Sequence, residues 1–307
     1  MTTLGLRRPS VRQSLVVLLV LVVLGGAFGA GAIASNAFGL GDKFDRLVAK
    51  VERFIVGPPP ADRATIPTVT VTPPPSRPPT PAPTAPPGAS PTPSPTPLVR
   101  APVDVAIIDD PQAVFAHELR KDWCAPAGVQ ITLAALGLAD TSEGFQKHLA
   151  GQIRDWETYA DSHNYEWGPA AMASALAAYG APGYEIRAYE KRGDALRDAA
   201  IAIETTRSPA ILLAWRGAHT WVMTGYRADA DPELFPDAVI EGTYILDPWY
   251  PWVSSIWGRS DPPGTFQDAA EMKRNFLPWK RPEGKYPDRD GKFIVVVPTL
   301  PAPAAAR

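Results

Sequence analysis

The sequence predicts an α+β fold in which helices come first and an antiparallel sheet follows. Between residues 124 and 180, apolar side chains recur at the three- and four-residue spacing of amphipathic helices. From residue 210 onward, the pattern changes to short runs of β-branched, apolar and aromatic residues bounded by Gly, Pro and Asp. Helices grouped in one part of a domain and strands in the other are typical of the α+β class.

Start and stop signals predict the individual elements. The first helix starts at Cys124, where Pro126 suits a first turn because its missing N–H would have had no partner there, and it stops at Gly137. Gly180 is a natural left-handed cap for the third helix. The other predicted helices cover residues 143–159, 169–179 and 194–204, and the predicted strands cover residues 103–108 (a strand or an entry arm), 210–215, 219–226, 243–246 and 293–297.

The N-terminus contains an uncharged, apolar segment, residues 14–34, that follows a basic stretch, residues 1–13. The segment is long enough to span a bilayer, and positive charge on its N-terminal side keeps that end in the cytoplasm. We therefore expect a single-pass protein of the cell membrane with its C-terminal domain outside. The small residues up to Ala34 also fit a cleavage site, and cleavage there gives a secreted protein.

Two further segments precede the folded domain. Within residues 35–56, apolar side chains at helical spacing from Phe44 to Ile55 predict an amphipathic helix that lies on the membrane, pairs with a copy of itself or extends the anchor. Residues 57–100 contain 17 prolines in 44 positions, which predicts a disordered spacer that forms no ladder. In polyproline geometry, at about 3.1 Å per residue, the spacer reaches up to roughly 100 Å from the bilayer.

The folded domain is predicted over residues 101–298, with a tail over residues 299–307. The formal net charge of −2 provides no basic face and argues against nucleic acid as a partner. Cys124 is the only cysteine, so the chain forms no internal disulfide. We also expect no zinc site built from thiolates, no other metal and no cofactor.

Cys124 is the candidate nucleophile because a thiol attacks as the thiolate, which helix-start N–H groups and a protonated histidine stabilise. His219 is the best placed of the four histidines, since it opens a predicted strand after a bend; His117 is a weaker candidate that can line the cleft. Asp247 follows a later predicted strand, where a carboxylate can hold the imidazole in one tautomer. The ordinary alternatives are a buried structural thiol and an Asp-Pro turn.

Three segments resemble, in order, the Cys, His and Asp blocks of C39-like cysteine peptidases of the papain superfamily. They read DWCAPAGVQITLAALG, GAHTWVMTGY and YILDPWY, within residues 115–249. The resemblance implies a papain-like fold with the Cys helix packed on a C-terminal antiparallel sheet. It also implies hydrolysis of a peptide or protein through a thioester, in which Cys124 attacks, His219 moves the proton and Asp247 orients His219.

One position departs from the pattern of that family, which has Gln six residues before the Cys to help hold the oxyanion. This chain has Glu118 there, and an ionised carboxylate opposes negative charge on the substrate oxygen. Three alternatives follow: Glu118 is protonated in a shielded cleft, another donor such as Gln112, Arg120 or Trp123 replaces it, or the domain is a feeble catalyst. The backbone N–H of Cys124 supplies one donor in every case.

Aromatic residues offer a candidate substrate cleft. Trp249 and Trp252 follow Asp247, and Trp221 lies on the predicted His strand. Core and rim packing is the ordinary alternative for all three, because large aromatic side chains are usually well buried.

The sequence thus predicts a membrane-tethered, extracytoplasmic C39-like thiol hydrolase, a cysteine peptidase with a Cys-His-Asp triad. Its partners are then a peptide or protein substrate and, through the N-terminal segment, the membrane. One alternative is an inactive C39-like domain that binds peptides or mediates assembly at the surface, for which Glu118 argues. Another is a cell-wall amidase, for which the long spacer argues.

Overall fold

The computed structural model describes residues 59–72, 98–161, 166–280 and 284–301, together with scattered positions between 26 and 51. The chain divides into two units, residues 1–58 and 59–307. Most of the predicted anchor (14–34) and amphipathic helix (42–56) lies outside the described residues, as does the spacer between residues 73 and 97. In the part of the chain that is described, no helix is both long and apolar enough to cross a bilayer.

The second unit is built on one eight-stranded sheet, which is antiparallel except for the pairing of β1 with β3. The strand order is β1-β3-β10-β4-β5-β6-β9, and β2 pairs with the far half of β5. The strands are β1 (Thr68–Thr70), β2 (Val103–Ala106), β3 (Tyr184–Tyr189), β4 (Ala210–Leu213), β5 (His219–Ala228), β6 (Ile240–Leu246), β9 (Thr265–Asp268) and β10 (Phe293–Pro298), with β7 (Val253–Ser254) and β8 (Gly258–Arg259) in a separate hairpin.

The helices cover both faces of this sheet and confirm the α+β class. They are α1 (Pro111–Val114), α2 (Cys124–Ala135), α3 (Glu143–Gly151), α4 (Ile153–Trp156), α5 (Pro169–Ala178), α6 (Arg192–Thr206) and α7 (Ala269–Asn275). The single helix predicted over residues 143–159 is wrong, because the helix breaks at Gln152 and its second part ends at Trp156. The predicted left-handed cap after α5 is confirmed, since Gly180 has φ of +94°.

The central strands are apolar on both faces. In β4, Ile211 and Leu213 pack with Val129 and Leu133 of α2, whereas the alternate residue Leu212 packs with the α6 side. Strands covered on both faces read as continuous apolar runs, which explains why β4 and β10 were predictable from sequence. The sheet therefore carries α2, the Cys helix, on one face and α6 on the other.

One strand lies within the segment for which the sequence predicted a spacer. The run TVTVT, residues 68–72, contains no proline and alternates β-branched residues, which suit an extended strand. Thr68–Thr70 pairs in parallel with β3, and Thr68 Oγ1 accepts a hydrogen bond of 2.9 Å from Arg289 Nε. This part of the Pro-rich segment is therefore an edge strand of the sheet.

Helix α2 reaches β5 closely because a glycine faces the strand. A Cβ added at Gly128 would overlap the methyl group of Thr220, next to His219. A larger side chain at this position must push the helix away from the strand. Gly128 therefore sets the distance between the element that starts with Cys124 and the element that starts with His219.

We predict that Gly128→Ala lowers the free energy of unfolding by about 1–3 kcal/mol, the usual cost of overpacking a core. Gly144→Ala is the matched control, because Gly144 is also helical and an added Cβ there meets only Ser142 Oγ at 3.8 Å. The control should leave the protein unchanged or slightly more stable. Urea unfolding of both variants measures the difference, and equal effects would show that the Gly128 contact with Thr220 does not limit the packing.

Candidate active site

Cys124 is the first residue of α2, and its side chain is half-buried. The preceding cap residue, Trp123, makes no side-chain hydrogen bond to the helix start, and Pro126 has no N–H to satisfy in the first turn. The Cys124 sulfur lies 4.0 Å from the carbonyl oxygen of Ala218, directly before His219 in the chain. The helix start and the His strand thus meet at the sulfur.

His219 opens β5 after a tight turn, Ala214–Gly217. Trp215 and Arg216 have left-handed φ angles of 51° and 63°, which non-glycine residues rarely adopt. This turn stacks the Trp215 ring on the His219 ring, with centroids 4.0 Å apart and planes inclined by 18°. The stacked indole limits rotation of the imidazole plane.

Asp247 lies directly after β6, the neighbour of β5, and fixes the imidazole from the other side. The Asp247 Oδ1 atom is 2.6 Å from His219 Nε2 and also accepts a 2.9 Å hydrogen bond from the backbone N–H of Trp249. His219 is 2% exposed and Asp247 is 6% exposed. With Nε2 donating its proton to Asp247, the other ring nitrogen, Nδ1, faces away from Asp247.

Competing effects act on the pKa of His219. Burial alone lowers this pKa, but the charge of Asp247, its hydrogen bond and the interaction with Cys124 together raise it well above the ordinary 6.5. The net effect of these neighbours favours the protonated form of His219. A cationic imidazole is one of the groups that activate cysteine thiols in proteins, and the Cys124 sulfur lies beside this ring.

Glu118 completes the cluster. One carboxylate oxygen of Glu118, the Cys124 sulfur and a His219 ring nitrogen lie within 4.8 Å of one another. Glu118 is fully buried, and among the described residues neither of its oxygens has a hydrogen-bond partner. Burial raises the pKa of Glu118 to about 8, with the charge of His219 opposing the rise and Asp247 adding to it. At neutral pH the side chain is thus mainly a neutral acid that carries an O–H donor.

Two buried glutamines hold the Glu118 backbone in place. Gln146 Oε1 accepts from the N–H of Leu119 at 2.8 Å, and Gln146 Nε2 donates to the carbonyl of His117 at 3.0 Å. Gln146 Nε2 also donates to Gln130 Oε1, on α2, at 2.9 Å. Gln146, on α3, therefore hydrogen-bonds the peptide groups on both sides of Glu118, and it is itself hydrogen-bonded to Gln130 on α2. The sequence analysis did not identify this pair, although polar residues on otherwise apolar helix faces were its visible signal.

The other proposed oxyanion donors are not part of this cluster. Gln112 is exposed on α1, where its backbone N–H bonds the side chain of Asp110. The Arg120 guanidinium lies over the half-buried Trp123 ring, 5.3 Å from its centroid, and 3.3 Å from Asp122. Within the described contacts, only Glu118 of the proposed side-chain donors joins Cys124 and His219.

Two of the three proposed cleft tryptophans lie beside the cluster. The Trp249 ring meets the edge of His219 with centroids 6.2 Å apart, and Trp252 contacts Trp249 at 5.1 Å. Trp252 also packs against His117, with ring centroids 4.4 Å apart. Trp221, by contrast, is 3% exposed and packs in the core on the α6 side of the sheet.

Sequence reasoning missed the tryptophan that contacts His219 most closely. Trp215 stacks on His219 on one side and lies 5.8 Å from the nearly parallel ring of Trp257 on the other. Its only sequence signal is its place four residues before His219, because the left-handed turn that folds it back is not encoded by a glycine at residue 215.

Comparisons of the chain with protein-family models, with curated proteins and with solved structures gave no match. The geometry itself defines the class of site: a thiol at a helix start, an imidazole and a carboxylate in line. To these the chain adds a buried, neutral glutamic acid beside the sulfur.

We predict that Glu118→Gln changes stability in a pH-dependent way. The folded pKa of Glu118, about 8, is above its unfolded value of 4.5, so its stabilising contribution is complete below pH 4.5 and is lost as pH rises through about 8. Glutamine does not titrate. Across that interval, the free energy of unfolding of the variant should therefore rise relative to that of the natural protein by at most about 1.4 kcal/mol per pH unit.

Urea unfolding from pH 4 to pH 8 measures this gain. Glu241→Gln, at an exposed position, is the control and should show no such trend. A constant difference between Glu118→Gln and the natural protein over this range would mean that Glu118 is already ionised in the folded state.

Proposed function

We propose that this domain is a cysteine hydrolase in which Cys124 is the nucleophile, His219 transfers protons and Asp247 orients His219. One observation carries the proposal: the sulfur and the imidazole are close together, and Asp247 lies 2.6 Å from the imidazole nitrogen Nε2. These residues come from three segments that are far apart in the sequence. Such a nucleophile, base and orienting group is the arrangement that covalent catalysis requires.

The reaction follows from these positions. The thiolate of Cys124 forms a bond to the substrate carbonyl carbon, and the carbonyl electron pair moves to oxygen. The tetrahedral intermediate collapses as the protonated His219 gives its proton to the leaving amine, which leaves a thioester on Cys124. Neutral His219 then takes a proton from water, whose oxygen attacks the thioester; the acid product departs and the thiolate and protonated His219 are restored.

Glu118 acts in this proposal as an oxyanion donor. A neutral carboxylic acid has one O–H group, and a buried O–H close to the sulfur is placed to donate to the substrate oxygen together with the backbone N–H of Cys124. The raised pKa of Glu118 supports the first of the three alternatives for this residue, the protonated acid. The donor then replaces the Gln amide of the C39-like pattern.

The proposed substrate is a peptide or protein. Resemblance of the three sequence blocks to C39-like peptidases supports this choice, as does the packing of the Cys helix against a mostly antiparallel sheet. Trp249 and Trp252 provide apolar surface beside the imidazole for a substrate side chain. The basic and apolar N-terminus supports a location on the outer side of the cell membrane.

The second candidate function is a peptide-binding module without turnover. It requires Glu118 in the ionised state, because an ionised carboxylate at this position would repel the oxyanion. The two candidates differ in the state of Glu118 and in whether Cys124 is consumed and restored.

We expect Cys124→Ala to reduce release of peptides from casein to background, because the thioester cannot form. Asp247→Asn should lower kcat by orders of magnitude, since an amide supports the wrong tautomer of His219. Circular dichroism controls for folding. Binding of casein peptides without release in the natural protein would favour the binding module, and release of muropeptides alone from cell walls would favour an amidase.

We also expect the rate to depend on the charge of Glu118. In the natural protein, kcat/KM should fall as pH rises through about 8, because the donor is lost on ionisation. Glu118→Gln keeps an N–H donor at every pH. In this variant, the fall of kcat/KM at alkaline pH should therefore move to the higher pH at which His219 loses its proton. An unchanged alkaline limb in Glu118→Gln would contradict the donor role, and an equal gain at all pH values would show that Glu118 impairs the natural site.

A further inference from the structure

The cluster at Cys124 contains three different ligand groups for a transition metal. A thiolate, an imidazole nitrogen and a carboxylate oxygen are all common zinc ligands. In four-coordinate zinc sites, bond lengths of about 2.0–2.3 Å place neighbouring ligand atoms about 3–4 Å apart. The three atoms of Glu118, Cys124 and His219 lie within 4.8 Å of one another, so side-chain adjustment of the order of 1 Å brings them to that spacing.

The orientation of His219 suits metal binding. Histidines that bind zinc usually donate their second ring N–H to a carboxylate, which fixes the tautomer and makes the ligand nitrogen more basic. Asp247 occupies that position at 2.6 Å from Nε2, and the stacked Trp215 restrains the ring plane. The other nitrogen, Nδ1, is left for a ligand on the Cys124 side.

The environment of Glu118 independently points to a bound cation. Both of its oxygens are buried and have no hydrogen-bond partner among the described residues, which is costly for a polar group. A bound divalent cation would satisfy these oxygens. The charges also balance, because the thiolate and the carboxylate together neutralise Zn²⁺ in a buried site.

We propose that Glu118, Cys124 and His219 bind one zinc ion, with the fourth position open, and that bound zinc inhibits the hydrolase by occupying the sulfur. Inhibition rests on the proposed function, whereas metal binding does not. The sequence expectation of no thiolate zinc site considered cysteine alone; the fold adds an imidazole and a carboxylate to a single thiolate.

Cobalt titration tests the binding. Untagged protein should bind one equivalent of Co²⁺, with a thiolate-to-metal charge-transfer band in the near ultraviolet and visible bands of four-coordinate cobalt, and Zn²⁺ should displace it. Cys124→Ser should lose the charge-transfer band. Glu118→Gln should keep the band but lower the affinity for both metals by at least about tenfold.

Two controls separate this site from surface binding. Glu143→Gln and His148→Ala remove an exposed carboxylate and an exposed imidazole on α3, and both should bind Co²⁺ as the natural protein does. Absence of the charge-transfer band, or equal affinity in Glu118→Gln, would overturn the proposal.

The metal and hydrolase proposals fail separately. A cobalt band in a protein that releases no peptide would support the metal site and contradict the hydrolase proposal. If the cobalt band is present and peptide release continues at zinc saturation, only the proposed inhibition would be contradicted. Peptide release by a protein that shows no cobalt band would contradict the metal site and support the hydrolase proposal.

Discussion

The close packing of α2 on β5 is the constraint on which the site depends. Because Gly128 has no side chain, the helix approaches Thr220 until its first residue reaches the first residue of the strand, and this joins Cys124 to His219. The core on both faces of the sheet makes that distance stiff, since close-packed interiors do not deform continuously. Positions that never contact a substrate therefore determine whether sulfur and imidazole meet.

Burial then decides the charge of Glu118. At pH 7, protonating a carboxylate of ordinary pKa 4.5 costs about 3.4 kcal/mol, whereas burying an unpaired carboxylate costs several kcal/mol. The second cost is larger for Glu118, which accordingly is neutral. Asp247 is nearly as buried, yet it has an imidazole and a backbone N–H as partners. Two acids that lie beside the same imidazole thus differ in their environments, because only Asp247 has hydrogen-bond donors.

The sequence predicted those features that local pattern encodes and missed those that depend on tertiary contacts. Apolar runs identified β4, β5 and β10. Places at a helix start, a strand start and a strand end, together with the resemblance of three sequence blocks, suggested Cys124, His219 and Asp247 as partners. The stacking of Trp215 depends on a left-handed turn without glycine at that position, and the role of Gln146 depends on a peptide 27 residues away. Neither has a local signature. The edge strand β1 was hidden by the prolines around it, although the run TVTVT that contains it has strong β-propensity.

The glutamic acid at residue 118 links the two proposals through one proton. A glutamine amide donates to an oxyanion at any pH and is a weak ligand for zinc, whereas a glutamic acid donates only when protonated and binds zinc only when ionised. In the two proposals, the same buried oxygens serve hydrolysis in one state and metal binding in the other. Zinc must displace the protons of both Glu118 and the thiol, so metal affinity rises with pH while the oxyanion donor is lost. Taken together, the two proposals assign opposite effects to this one side chain, a donor in the acid form and a zinc ligand in the ionised form.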